Sequence, residues 1–432
     1  MTNQWHAGDA RHRSGKQPMT PSGSALRRSI PAQGRGRRTA VVISASIGAG
    51  HDGAASELTR RLELAGFRVD RHDFLDLLPA GWGDALRRTY ARQLHYAPAS
   101  WGWLLRAVAG PRSSHGAAAL AARAAMTRLV AALGPDPAVA VSTYPLASQA
   151  LGWLRRTGRL DAPAVAVLTD PSVHPLCLAP GVDLNLVQDT PDAATAHSPR
   201  LGLATVVSPI VNPAFRPSRG LSDAYHARER LRLPLVDRLA VIVAGSWGVG
   251  DIDATVRDVA AEGSLTPVVV CGRNEALRRR LEDTGQAIVL GWVDDMPSLL
   301  RAGDVVVHNA GGLSSLEALA TGVPVVSYRC LPGHGVANAA ALQSAGLSPW
   351  PQNPHQFVTS LRRAYGGELL AGQQAAYARW CAAPDAAALI AEFAGRQVTV
   401  AAPDHDADLN RPPTAKIAAS QATATAPVAV TK

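Results

Sequence analysis

Ten short runs of Val, Ile, Leu and Ala punctuate this chain, separated by helical stretches, and they fall into two series. The first comprises TAVVISAS (39–46), AVAVST (138–143), APAVAVLT (162–169), VDLNLVQ (182–188) and LATVVS (203–208). The second comprises RLAVIVAG (238–245), TPVVVCG (266–272), QAIVLG (286–291), GDVVVHN (303–309) and VPVVSYR (323–329). Strands that are apolar throughout, rather than alternating, are covered on both faces, which is the condition of a parallel sheet between helices. The breaker-rich segment VNPAFRPSRG (211–220) separates the series and reads as a linker. The chain therefore divides into an arm (1–38), two doubly wound α/β domains (39–212 and 213–395) facing across a cleft, and a tail (396–432). Sheets of this kind bind ligands at the carboxyl ends of their strands.

Composition excludes several alternatives. At 432 residues, with 47% hydrophobic and 18% charged residues, the chain is globular and long enough for two cores. No apolar run approaches the roughly 20 residues needed to cross a bilayer. The four cysteines have no pair at the spacing of a metal knuckle. Arg27-Arg28 and Arg37-Arg38 precede an apolar run, as in twin-arginine export signals, but the run stops at His51-Asp52 and reads as a buried strand. The net charge of +9 is concentrated in the arm and in residues 81–130, which hold seven Arg against one acid. Arm and tail lack apolar periodicity and are expected to be disordered.

Three loops carry residues suited to chemistry. Ser44–His51 follows the first strand with Gly48 and Gly50, so a helix N-terminus can approach a ligand closely. His51 there is either a structural histidine or a general base, and its place at a strand's carboxyl end favours the base. Ala244–Gly250 opens the second half in the same way and reads as a diphosphate cradle or an empty turn. The most specific is VHNAGGLSSLEALATGVPV (307–325). Gly311 and Gly312 bare a helix start to an anion, Ser314 can cap it or bond a phosphate, and Glu317 one turn on can accept from two vicinal hydroxyls.

These segments resemble the family 28 glycosyltransferases, above all the monogalactosyl- and glucosyl-diacylglycerol synthases. The resemblance covers about residues 39–385 and rests on SASIGAGH, VLTDPSVHPLCLAPGVDLNLV, AGSWGVGD, VVVCGRN, LGWVDDMPSLL, HNAGGLSSLEALATGVPVV and LPGHGVAN. It implies a GT-B fold of two Rossmann-like domains, the first binding acceptor and the second a nucleotide-sugar. It further implies an inverting, metal-independent hexose transfer from a UDP-sugar to a lipid acceptor, with no cofactor and His51 as base. Glu317 would hold the ribose, Gly311, Gly312 and Ser314 the diphosphate, and Gly248 and Arg273 would flank the phosphates. Trp292, Val293 and Met296 would lie beside the uracil, and His334 and Asn338 would face the donor hexose. Where the diacylglycerol synthases usually carry a Gln and two acids after the Pro-Gly of the last motif, this chain has His334, Gly335 and Val336.

The acceptor reading depends on residues 81–109. Leu86, Tyr90, Leu94 and Ala97 recur at helical spacing with Arg87, Arg88 and Arg92 turned aside, and Trp101 and Trp103 follow. Such a stripe is either core or an interfacial helix on an anionic membrane surface. The second option places the protein in the cytoplasm, peripheral at the inner face of the membrane. Three alternatives stay open: transfer to a soluble small molecule, UDP-sugar epimerisation, and nucleic-acid binding. The last is supported only by the basic arm, so no nucleic-acid partner is expected.

Overall fold

The computed structural model describes residues 38–96, 117–190, 202–309 and 312–395. Within them the chain forms two all-parallel sheets. The first contains β1 (Thr39–Ser44), β2 (Arg68–Asp73), β3 (Val139–Ser142), β4 (Ala164–Val167), β5 (Leu184–Val187) and β6 (Leu203–Val206), in the order 2-1-3-4-5-6. The second contains β7 (Leu239–Val243), β8 (Thr266–Val270), β9 (Ile288–Leu290), β10 (Val305–His308) and β11 (Val325–Ser327), in the order 11-10-7-8-9. All ten apolar runs become strands. The addition is β2, an edge strand paired only with β1, whose sequence RVDRHD is too polar to stand out because none of its residues is fully buried.

Each apolar run serves two cores at once. Val41 and Ile43 pack on one face with Phe74, Leu129 and Leu151, while Ala40 and Val42 pack on the other with Leu58 and Leu62. The period-2 geometry of a strand sends neighbours to opposite faces, so a sheet covered twice needs no polar residue between them. In the second sheet Val241 and Val243 face Leu299 and Leu316, and Ala240 and Ile242 face Val256 and Leu277.

In both sheets the chain runs outward from the first strand and then returns past it, so strand order reverses between β1 and β3 and again between β7 and β10. Those reversals leave a crevice at the strands' carboxyl ends. Helix α1 (Ala49–Leu64) leaves the first crevice. Helices α2 (Trp82–Tyr96), α3 (Ala117–Leu133) and α4 (Pro145–Arg156) complete the cover of the first lobe. In the second lobe, α5 (Leu221–Arg230), α6 (Ile252–Glu262), α7 (Glu275–Thr284), α8 (Met296–Ala302), α9 (Gly312–Ala320) and α10 (His334–Ser344) follow their strands. Three more, α11 (Pro354–Tyr365), α12 (Glu368–Cys381) and α13 (Ala386–Gly395), close the described chain.

The last helix corrects the expected lobe boundary. Residues 386–395, assigned by sequence to the second lobe, cross back and bury Ala386, Ala387 and Ile390 beside Leu58, Leu62 and Val42 of the first. The crossing is clasped where the lobes join. The Trp380 indole donates to the Val207 carbonyl at 2.6 Å, and Arg61 on α1 reaches Asp385 at 2.8 Å and the Pro209 carbonyl at 3.0 Å. Arg61 also donates to the buried Glu57 at 2.7 Å, as does Arg60 at 2.8 Å. Burial alone would raise the Glu57 carboxyl, but the hydrogen bonds from Arg60 and Arg61 outweigh it and hold the group below the usual range. Removing Arg61 leaves a buried carboxylate with half its partners. Arg61→Ala should therefore lower unfolding stability by about 2–4 kcal/mol, measured by urea melts at neutral pH. Because the folded carboxyl is depressed, the wild-type advantage is full above the ordinary glutamate range and shrinks as pH falls through the folded value.

Candidate active site

His51 lies in the first turn of α1, directly after the glycine loop that leaves β1. Two neighbouring strands supply its partners. Its Nδ1 stands 3.1 Å from the Thr143 carbonyl, just past β3, and 2.9 Å from Thr169 Oγ1, just past β4. A carbonyl can only accept, so Nδ1 carries the proton and the Thr169 hydroxyl oxygen shares it. That leaves Nε2 with its lone pair, the form in which a histidine takes up a proton. The Tyr144 ring packs edge-on against the imidazole at 6.0 Å.

The second lobe presents its own loops to this one. The Trp247 indole donates across the cleft to the Ile47 carbonyl at 2.8 Å, and Ala49 N–H points to Ser246 Oγ at 3.4 Å. Gly53 of α1 touches Leu313 of α9 so closely that a Cβ there would lie 2.7 Å from Leu313 Cδ2, and a Cβ on Gly312 would collide with Pro171. The N-termini of α1 and α9 thus meet across the gap, and the imidazole stands at the junction. His308 holds the start of α9 from below: its Nε2 is 2.9 Å from Ser315 Oγ and 2.8 Å from Ser327 Oγ, all three buried.

Several polar groups around the cleft await partners. Thr143 Oγ1, Asn309 Oδ1 and His334 Nδ1 are buried with no hydrogen-bond partner among the described residues. Buried polar atoms are nearly always paired, so such atoms are candidates for contact with a polar ligand; Thr59 Oγ1 and Gln188 Oε1 also share the condition. Glu317, in α9, is half-buried, and burial pushes its carboxyl up to about 8. Burial also holds the His334 ring below the usual histidine range, with Asp170 opposing and His51 adding to the effect. Among the described residues no three His, Cys, Asp or Glu side chains converge as a metal site would require.

The remaining sequence candidates fall into different environments. Gly248 is left-handed (φ +55°) and buried, and a Cβ would strike the Cys271 carbonyl. Its own carbonyl accepts from Asn274 Nδ2 at 2.8 Å, so the glycine locks two loops together rather than facing open space. Arg273 is exposed and lies 4.3 Å above the Trp292 ring, which is 47% exposed, while Val293 and Met296 pack against the second lobe's core. Ser314 is half-buried in the first turn of α9, and Gly311 lies outside the described residues. Asn338, expected to face the donor hexose, instead spends both ends of its amide on the first lobe: Oδ1 accepts from Ser172 Oγ at 2.6 Å, and Nδ2 donates to Asp170 Oδ1 at 3.0 Å.

Helix α2 also departs from expectation. Leu86 and Tyr90 pack inward, Tyr90 also joining the small cluster of Val249 and Leu331 in the second lobe. Burial, reinforced by Asp170, raises the Tyr90 hydroxyl above its usual value. Arg87 is not turned aside: it bonds Ser46 Oγ, Asp73 and Asp84 at 3.0 Å each, bracing the glycine loop. The arginine is drawn inward by acids on β2 and its following turn that the local pattern of α2 could not reveal. Arg88 and Arg92 are exposed, and they share the outer face with Trp82, 48% exposed, which the sequence reading passed over. Trp101 and Trp103 lie outside the described residues.

Comparison with known proteins bears on the fold. Residues 248–366 match the family model described as Glycosyl transferases group 1. A processive diacylglycerol beta-glucosyltransferase of Bacillus subtilis (strain 168) is 27% identical over 224 residues, 49% of this chain and 56% of that protein. The chain thus spans about half the length of the curated relatives it matches. The O. sativa protein Os79, solved with U2F and trichothecene, superposes with a TM-score of 0.55 at 16% identity, covering 83% of this chain and 100% of that one. Medicago truncatula UGT71G1, solved with UDP-glucose, gives 0.54 at 12% identity over 83% and 99%. The two-lobed architecture is GT-B.

Proposed function

We propose that this protein is an inverting glycosyltransferase moving a hexose from a UDP-sugar to a lipid acceptor of the diacylglycerol type. The observation that carries the reading is the His51 imidazole, protonated on Nδ1 by its contact with the Thr143 carbonyl, at the junction with the start of α9. Nε2 takes the proton of the acceptor hydroxyl as that oxygen forms its bond to the anomeric carbon. The bond from that carbon to the UDP oxygen breaks on the opposite face, so configuration inverts. Charge growing on the leaving diphosphate meets the N–H groups at the N-terminus of α9, with Arg273 beside the loop after β7, its backbone N–H on the Ser246 carbonyl at 3.0 Å. Glu317 accepts from the ribose hydroxyls, and its carboxyl, which burial pushes up to about 8, gains from such a partner. The test is incubation with a panel of UDP-sugars and lipid extract, following UDP release and labelled product. UDP release with no glycosylated lipid would sink the acceptor assignment.

The lipid acceptor is supported by the diacylglycerol glucosyltransferase relative and by the outer face of α2. No helix among the described residues is long and apolar enough to cross a membrane. Docking at an anionic surface rests on Trp82, Arg88 and Arg92, which are exposed on α2 together with Asp84, Ala85 and Thr89. Replacing all three by alanine should weaken sedimentation with anionic liposomes by about 10–100-fold while sparing UDP binding. A soluble acceptor is the second reading, favoured by the inward packing of Leu86 and Tyr90 and the internal engagement of Arg87. Liposome binding indifferent to the triple change would select it.

A further inference from the structure

We propose that Asn338 is a positioning residue that couples closure of the second lobe to the orientation of His51. The inference rests on the reading of His51 as the base. Residues 169–172 form one turn directly after β4, and every one of them touches a group at the lobe junction. Thr169 Oγ1 stands 2.9 Å from His51 Nδ1. Asp170 Oδ1 accepts from Asn338 Nδ2 at 3.0 Å. Pro171 lies against Gly312. Ser172 donates twice to Asn338 Oδ1, from its backbone N–H at 3.1 Å and from its hydroxyl at 2.6 Å.

Asn338 is 1% exposed and belongs to α10, in the lobe opposite His51. A buried amide with a donor and an acceptor both engaged can sit in only one orientation, and neither carboxylate nor hydrocarbon reproduces it. When α10 docks, the amide fixes the 169–172 turn, and the turn sets the hydroxyl that shares the Nδ1 proton of His51. When α10 withdraws, the hydrogen bonds of Asp170 and Ser172 to it are lost together, and the turn that carries Thr169 is held only from within its own lobe, by Gln188 Nε2 on the Thr169 carbonyl and Thr190 Oγ1 on the Pro171 carbonyl. The base is thereby fully oriented only when the second lobe is in place.

The charged and titratable groups around the latch are Asp170 itself, Tyr90 of α2, His174 and Cys177 beyond the turn, and His334 and His51 on the two facing helix starts. In Asn338→Asp a second carboxylate faces Asp170, and the pair regains a hydrogen bond only by sharing a proton. The test uses the full chain with two readouts. The first is the ¹⁵N signals of the His51 ring, which need no substrate. The second is sugar transfer as a function of pH.

In Asn338→Asp the ring should move from the Nδ1–H tautomer to a mixture. The kcat should fall about 10–100-fold with KM for the donor changed less than threefold. The ratio of variant to wild-type rate should climb as pH is lowered, because the shared proton restores the bridge. Ser172→Ala, which removes one donor without adding charge, should lower kcat less and leave the ratio flat with pH. Unchanged His51 signals in a folded Asn338→Asp variant overturn the proposal, as does a rate ratio that ignores pH. If the wild-type protein transfers no sugar while the variant still shifts the His51 signals, the transferase reading fails and the coupling stands.

Discussion

Sugar transfer by His51→Ala should fall by about 10³-fold in kcat, with UDP affinity within about twofold of wild type. The expectation follows from what the ring touches. Its Nδ1 is committed to the Thr143 carbonyl and Thr169 of its own lobe, so its loss leaves the described loops after β7 and β10 with their own hydrogen bonds. The lost factor is the cost of an acceptor hydroxyl attacking without a base at hand. His51→Gln keeps a side chain of similar reach but has no basic nitrogen, and should be equally inactive. Stopped assays of product formation beside calorimetry with UDP separate the two quantities. A His51→Ala protein that transfers sugar at wild-type rate would remove the proposed mechanism, whatever its UDP affinity.

Donor affinity should strengthen as pH rises through about 8, the value to which burial pushes the Glu317 carboxyl. At neutral pH the free protein holds that carboxyl mostly protonated. Accepting from two ribose hydroxyls requires the ionised form, and charge-assisted bonds to it are the stronger ones. Each pH unit below the folded value therefore lowers affinity for UDP by up to about tenfold. Glu317→Gln should abolish this dependence and bind UDP about 10–100-fold more weakly than wild type at pH 9, where the native carboxylate is formed. Wild-type affinity that is flat between pH 6 and 9 would contradict the assignment.

The same group makes a stability prediction of opposite sign. The folded value lies above the ordinary 4.5, so the folded protein binds the extra proton and its stability falls as pH rises from about 4.5 to about 8. At about 1.4 kcal/mol per pH unit, the loss is at most a few kcal/mol, and Glu317→Gln should not show it.

Elements were legible because their signal is local. Runs such as TAVVISAS and RLAVIVAG declare buried parallel strands by composition alone, and the glycines after them place the ligand end of each sheet. The same logic put His51 at a helix start directly after a strand, since a strand, a short loop and a helix leave little freedom for the residues between. The strand β2 escaped this rule because RVDRHD is exposed or half-buried along its whole length and so lacks the apolar density of the others.

The amino-acid order by itself therefore determined two wound sheets, their active ends and the polarity of the gap between them. Only the folded chain decided which polar side chains meet. Asn338 finds Asp170 across 168 residues, Arg61 finds Asp385 across 324, and Arg87 turns to Asp73 rather than outward. Helix α13 likewise settles on the lobe opposite the one that its position in the chain suggested. Hydrophobic periodicity is written over a few consecutive residues and survives any arrangement of the elements. A hydrogen bond or ion pair exists only when two distant segments arrive within about 3 Å in the right orientation, and no stretch of sequence carries that information alone.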